Sequence, residues 1–182
     1  MNLLTLKHTN MKKILFYIMN FILIPVLVIT DQVTKQLALK NLNGKPPVDI
    51  IKNVLQLTYL RNDGAAWGMF SGKQWFFIIL TVALMVLIMY ILIKMPFTRK
   101  YLPLRIIIET LMAGALGNFI DRVANGYVHD FIYFKIIDFP VFNFADICVS
   151  LSMIALVIMI LFKFRDTDFE FLKIHKSKKE DN

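Results

Sequence analysis

The chain has 182 residues, 57% of them hydrophobic, with a mean hydropathy of +0.59 and a formal net charge of +8. One compact soluble core cannot hide so much apolar surface, which excludes an ordinary soluble globule and points to a single integral membrane domain over residues 1–182. One cysteine, Cys148, excludes an internal disulfide framework and a CxxC metal knuckle. His8, His129 and His175 form no cluster and no glycine-rich phosphate loop is present, so neither metal nor nucleotide cofactor is expected. The basic residues flank apolar runs, a pattern of membrane topology and anionic lipid rather than of nucleic acid, and no nucleic-acid module is visible.

In chain order, residues 1–12 read as an N-terminal extension, with Met11 a plausible alternative start before Lys12 and Lys13. The first apolar run spans residues 14–30. No small-x-small cleavage site follows it, so it reads as an uncleaved span that continues as the amphipathic helix TDQVTKQLALK. Asp31 to Lys73 is mixed: NLNGKPP is a loop, VLQLTYL alternates like a strand, and RNDGAAWG is turn-like, together a small extramembrane element with short strands. Residues 75–93 form a second span opened by Trp75, and the basic loop KMPFTRKYLPLR follows. The third span, 104–120, is weaker because it carries Glu109 and the small-residue run AGALGN, which suits close helix approach. Loop and strand return in DRVANGYVHDFIYFKIIDFPVFNF, residues 145–162 make a fourth span, and residues 165–182 form a charged, solvated tail.

Lys12 and Lys13, then Lys94, Arg99, Lys100 and Arg105, then Lys163 and Arg165 all fall on one side of four spans, which makes both termini cytoplasmic. Asp31, Lys35, NDGAAWG, GNFIDR, HDF and NFAD then gather near the opposite, extracytoplasmic surface.

Two acids in that group stand in very apolar company. Asp146 opens the fourth span, where the helix dipole favours an acid and Asn143 is placed to cap. Asp130 lies in a strand-like run on the same face as Val128 and Ile132; it reads either as a strand-end acid facing water or, at a depth where an acid is functional by default, as a site residue. Brought together, two such carboxylates share one proton: the ionised member takes a proton from water while the neutral one hydrogen-bonds a carbonyl oxygen. The other acids have plainer readings. Asp121–Arg122 suits a local pair or a link to another helix, and Asp31–Lys35 an i,i+4 pair. Glu109 faces the bundle interior or pairs with Arg105, Asp138 belongs to a turn before Pro140, and Asp63 is a solvated turn acid. Cys148 reads as an inert buried thiol, Ser71 and Lys73 as loop residues, and His129 either as a tuner of Asp130 or as a plain loop histidine.

DQVTK (31–35), NDGAAWG (62–68), AGALGNFIDR (113–122), HDF (129–131) and FNFAD (142–146), in this order on one face of a four-span chain, resemble the lipoprotein signal peptidases, or signal peptidase II family, from Met11 to about Phe164. The resemblance implies a membrane all-α bundle of four helices with a small extracytoplasmic β-cradle and a covering loop. It further implies an aspartic endopeptidase of the bacterial cytoplasmic membrane, without cofactor, that cuts prolipoproteins just before a diacylglyceryl-modified cysteine and is inhibited by globomycin-type cyclic peptides. Carried over by motif position, Asp130 and Asp146 are the catalytic dyad. Asn62, Gly64, Asn118, Arg122 and Asn143 line or brace the substrate site, with Asp31, Lys35, Gly114, Asp121 and Ala145 in support. The expected partners are the diacylglyceryl-prolipoprotein and membrane lipid, and no nucleic acid. Two departures from the family pattern are Ala113 in a usual Gly pair and His129 where Val is common, the latter bearing on the pH optimum. A proton-coupled transporter and a noncatalytic scaffold are the rival readings; the first needs acids spread through the bilayer rather than gathered at one face.

Overall fold

The computed structural model describes residues 3–64 and 72–172, with side chains in the first helix described from residue 22. The elements are α1 (Leu3–Leu42), β1 (Val48–Ile51), β2 (Leu55–Asn62), α2 (Gln74–Lys94), α3 (Leu102–Asn125), β3 (Val128–Phe134) and α4 (Phe144–Phe162). Short 3-10 turns cover Lys135–Ile137 and Asp166–Leu172. Four helical segments have the length and apolarity to cross a membrane: Ile22–Leu42 within α1, then α2, α3 and α4. At 24 residues α3 is roughly 36 Å long, enough to span the hydrocarbon layer.

The third span reads as weak because it is the central one. Of its apolar window 56% is buried inside the protein, against 17%, 11% and 17% for the windows in α1, α2 and α4. A helix that faces its neighbours needs less apolar surface than one that faces lipid. The outer helices carry the exposed apolar side chains, among them Ile79, Val86, Leu151 and Leu161, for which lipid is the fitting solvent.

Small residues on α3 set the helix spacing. A Cβ on Gly114 would lie 2.6 Å from the Ala145 carbonyl oxygen and 2.8 Å from Val149 Cγ2; one on Gly117 would lie 2.5 Å from Asp31 Oδ2. Both α1 and α4 therefore approach α3 closely, in the manner of small-residue membrane interfaces. Gly114→Ala is expected to push α4 away and to destabilise the fold by about 1–3 kcal/mol, the usual range for overpacking. The thermal midpoint in detergent micelles measures this, and an unchanged midpoint contradicts the tight contact.

The sheet is antiparallel in the order β1-β2-β3, with Leu60 opposite Asp130 and Asn62 opposite Val128. VLQLTYL is largely β2, and the short strands expected here include an edge strand, β1, which no local pattern in VDII marks and which forms by pairing with β2. Gly126, at φ 77°, ends α3 in the left-handed conformation and turns the chain into β3.

Two further expectations change. The α1 backbone is helical from Leu3, so residues 3–12, expected as an extension before the first span, run continuously into it; no proline or glycine interrupts the segment before Pro25. The tail is not simply solvated, since Phe169 and Phe171 pack with Phe164 against the core of Ile88, Leu92, Met95, Leu104 and Ile108. Lys100 also pairs with Asp168, and Tyr101 Oη donates to the Asp168 carbonyl oxygen at 2.8 Å; residues 173–182 lie outside the described chain. In α3, Glu109 is buried and 3.8 Å from Arg105, whose Nη2 also donates to the carbonyl oxygens of Leu92 and Met95, tying α3 to the end of α2.

Candidate active site

Asp130 sits on β3 and is 1% exposed. Alternation along the strand turns it to the same side as Val128, into a cavity of about 490 Å³ that also holds Asp146. Asn62 Nδ2, from the end of β2, donates to Asp130 Oδ2 at 2.7 Å, and Asn143 Nδ2 donates to Oδ1 at 2.6 Å.

Asp146 arrives by a different route. Asn143 caps α4: its side-chain oxygen accepts from Asp146 N at 3.0 Å, and its own backbone N donates to Asp146 Oδ2 at 3.0 Å, a reciprocal capping box. Asn118 Nδ2, from α3, donates to Asp146 Oδ1 at 2.7 Å. Each of the four carboxylate oxygens thus accepts one N–H. Each keeps further acceptor capacity, which suits the pair for moving protons to and from a molecule placed between them.

Behind the acids stands a charged cluster. Lys35, 0% exposed, lies 2.8 Å from Asp31 Oδ2 and 3.0 Å from Asp121 Oδ2, and it donates to Asn118 Oδ1 at 2.8 Å. Asn143 Nδ2 also reaches Asn118 Oδ1 at 3.1 Å. With its oxygen so engaged, the Asn118 amide presents its NH2 to Asp146. Ala145 N donates to Asp31 Oδ1 at 2.9 Å and fastens the start of α4 to α1. The Asp31–Lys35 pair is therefore a buried junction of three helices rather than an exposed i,i+4 pair, and Asp121 makes an interhelical link.

Of the residues picked from the sequence, Asn62, Gly64, Asn118, Arg122, Asp130 and Asp146 line the cavity, while Asp31, Lys35, Gly114, Asp121, Asn143 and Ala145 stand behind it. Gly64 N donates to Asn62 Oδ1 at 3.0 Å, which orients the amide toward Asp130. Arg122 Nη1 lies 3.4 Å from the Asn118 carbonyl oxygen, and its guanidinium sits 5.0 Å from the Phe77 ring centroid. Ala65–Gly68 of the NDGAAWG block, and Ser71, lie outside the described residues. Among the described residues no group of three or more His, Cys, Asp or Glu side chains is arranged to hold a metal ion.

Two supporting residues escaped the sequence reading. Gln32 Nε2 reaches the Gly117 carbonyl oxygen at 3.2 Å and Asp121 Oδ1 at 3.1 Å; its place beside Asp31 in a helix entering an apolar bundle was the available signal. Tyr59 Oη lies 2.7 Å from His129 Nδ1, on the strand face opposite Asp130. Burial pushes the His129 pKa down and that of Tyr59 up to about 12, so a neutral ring meets a neutral phenol. His129 thus bears on Asp130 through the strand: its backbone N donates to Asp121 Oδ2 at 3.2 Å.

Burial, and next the charge of Asp146, push the Asp130 pKa up to about 7, against the opposing hydrogen bonds from Asn62 and Asn143. A reaction that needs one of these two carboxyls protonated is expected to slow as pH rises through about 7, where Asp130 ionises. The same shift acts on stability. The folded state holds a proton on Asp130 between pH ~4 and ~7 that the unfolded chain has released, so this carboxyl costs stability progressively across that window and fully above it. Asp130→Asn removes a cost of at most about 4 kcal/mol at pH 8. It also sets an NH2 against one of two amide donors, at about 1–3 kcal/mol. The variant is expected to be more stable than wild type at pH 8, with the advantage gone at pH 4; denaturation midpoints at both pH values test this.

The family described as Signal peptidase (SPase) II matches residues 8–162. The lipoprotein signal peptidase of Lactococcus lactis subsp. lactis (strain IL1403) is 43% identical over 151 residues, 83% of this chain and 96% of that protein. The lipoprotein signal peptidase of Staphylococcus haemolyticus (strain JCSC1435) is 40% identical over 154 residues, with the same shares of 83% and 96%. A bacterial membrane enzyme solved by the in meso method at 2.3 Å resolution superposes with a TM-score of 0.69 at 38% identity, over 88% of this chain and 94% of that one. A described fold of four membrane-length helices with a three-stranded sheet, and a sequence that matches these relatives along nearly its whole length, place the chain in the signal peptidase II family of aspartic peptidases.

Proposed function

We propose that this protein removes the signal peptide from diacylglyceryl-modified prolipoproteins at the extracytoplasmic face of a bacterial cytoplasmic membrane, cutting just before the lipidated cysteine, with Asp130 and Asp146 as the catalytic pair. The observation that carries this reading is that both carboxyls open into one cavity and that a single residue, Asn143, donates to both. The names and family of the relatives support the substrate class.

In this mechanism the ionised acid takes a proton from a water held between the two carboxyls. The oxygen so activated attacks the scissile carbonyl carbon, while the neutral acid hydrogen-bonds the carbonyl oxygen and protonates it as the tetrahedral intermediate forms. The acid that took the water's proton then passes it to the departing nitrogen as the C–N bond breaks, and the collapsing intermediate returns a hydroxyl proton to the other acid, which restores the shared proton. Asn62, Asn118 and Asn143 fix both carboxyls, which lowers the reorganisation needed during the reaction. The cavity's other wall is Phe139, Pro140, Phe142, Ile147 and Leu151, an apolar surface suited to a signal helix entering from lipid. Basic groups flanking the spans support cytoplasmic termini. Globomycin-type cyclic peptides are expected to inhibit by occupying the same cavity.

The deciding assay compares cleavage of a diacylglyceryl-modified prolipoprotein with that of its unmodified form by purified protein in micelles. Cleavage before the modified cysteine is expected, with the unmodified substrate cut at least ~100-fold more slowly, the scale of a lost apolar anchor of about 3 kcal/mol. Equal rates on both forms overturn the lipid requirement, and no cleavage of either overturns the assignment.

A further inference from the structure

The end of the sheet remote from the α3 turn carries a surface that the peptidase chemistry does not use. Register brings two turns together there, since Leu55 pairs with Ile51 on one side and with Phe134 on the other. The first turn exposes Ile50 and Ile51, 56% and 54% accessible; the second exposes Ile136 and Ile137, 66% and 68% accessible. Lys52 and Lys135, both exposed, flank these four side chains. The two nearby acids are engaged with neutral neighbours: Asp49 Oδ1 accepts from Gln56 Nε2 at 2.6 Å, and Asp138 Oδ1 from Tyr133 Oη at 2.6 Å.

We propose that this sheet tip is an interfacial lipid-binding surface, with Ile50, Ile51, Ile136 and Ile137 seated at the boundary of headgroups and acyl chains and Lys52 and Lys135 facing anionic lipid phosphates. Clustered apolar side chains on an extramembrane element mark a contact site rather than a solvated surface. The flanking ammonium groups select an anionic lipid surface over an uncharged apolar partner. The tip is also continuous with the membrane: Phe134 stacks on Phe142, and two residues on α4 begins, with Leu151 and Ile154 exposed on its outer face. Four spans already hold the chain in the bilayer, so lipid is present at the tip without a separate encounter. The surface would hold the open edge of the sheet, and through β3 the carboxyl of Asp130, at a fixed depth.

The test uses the full chain in vesicles of phosphatidylcholine and phosphatidylglycerol. Nitroxide labels are attached through Ile137→Cys, with Ile154→Cys on α4 and Lys45→Cys in the loop before β1 as references, each in a Cys148→Ala background. Collision of the label with oxygen, which partitions into lipid, and with a water-soluble nickel chelate is read from spin-label saturation. The label at 137 is expected to favour oxygen, as the label at 154 does. It is also expected to shift toward the chelate when phosphatidylglycerol is replaced by phosphatidylcholine or when Lys52→Gln and Lys135→Gln are added. A response matching that at 45 overturns the proposal, and so does shelter from both reagents, which would mean that protein, such as a second copy of the chain, covers the tip. Indifference to lipid charge and to the lysine changes overturns the role given to the lysines. No substrate is needed, so the result is independent of the proposed cleavage reaction.

Discussion

Asp130→Asn and Asp146→Asn are each expected to cut turnover of a lipid-modified prolipoprotein by about a thousandfold or more, within the range for removal of a positioned proton-transfer group. The two changes together should cost little more than either alone, because the acids act as one unit. Folding does not account for the loss. Asp130→Asn is expected to be the more stable protein at pH 8, as argued above, so inactivity and raised stability should appear in the same sample. Asp146→Asn retains the cap on α4, since Asn143 Oδ1 accepts from the backbone N of residue 146. Turnover within tenfold of wild type by either variant removes that acid from the mechanism.

The second large effect is expected at Lys35, which touches no substrate in the proposed mechanism. Its ammonium is the common partner of Asp31 and Asp121 and also holds Asn118 Oδ1. Lys35→Met leaves two buried carboxylates facing each other's charge without a cation, a loss of about 3–5 kcal/mol by analogy with broken buried pairs. Poor recovery of folded protein from membranes is the expected outcome. Adding Asp31→Asn and Asp121→Asn should return much of the stability. Activity should recover less, because Asn118 has still lost the donor that sets its amide toward Asp146. Full recovery of both would mean that Lys35 serves the fold alone, and a stable, active Lys35→Met would mean that the cluster does not bind the helices.

Much of this architecture is legible in local patterns. Apolar runs bounded by basic residues announce the spans, and acids stranded among Phe and Ile announce a site. What is illegible depends on partners far away in the chain. VDII becomes a strand only because β2 lies beside it, and the charged tail folds back because Phe169 and Phe171 find Phe164 and the α2–α3 core. The total burial of Lys35 cannot be read from DQVTK, whose spacing equally describes an exposed pair; it follows from α3 approaching through Gly117. Asp130 and Asp146 each stand out alone, but their meeting depends on the Gly126 turn that starts β3 and the Asn143 cap that starts α4, two devices with no sequence signal of their own cooperation.

Asn143 spans the gap between a strand and a helix that rest on different supports, and it grips an acid on each. Bilayers of different thickness tilt their spanning helices by different amounts. Because one amino acid holds both carboxyls, the distance between them is set by that residue's own covalent geometry, so a bilayer-dependent change in helix tilt would have to break one of its two grips before it could part the pair.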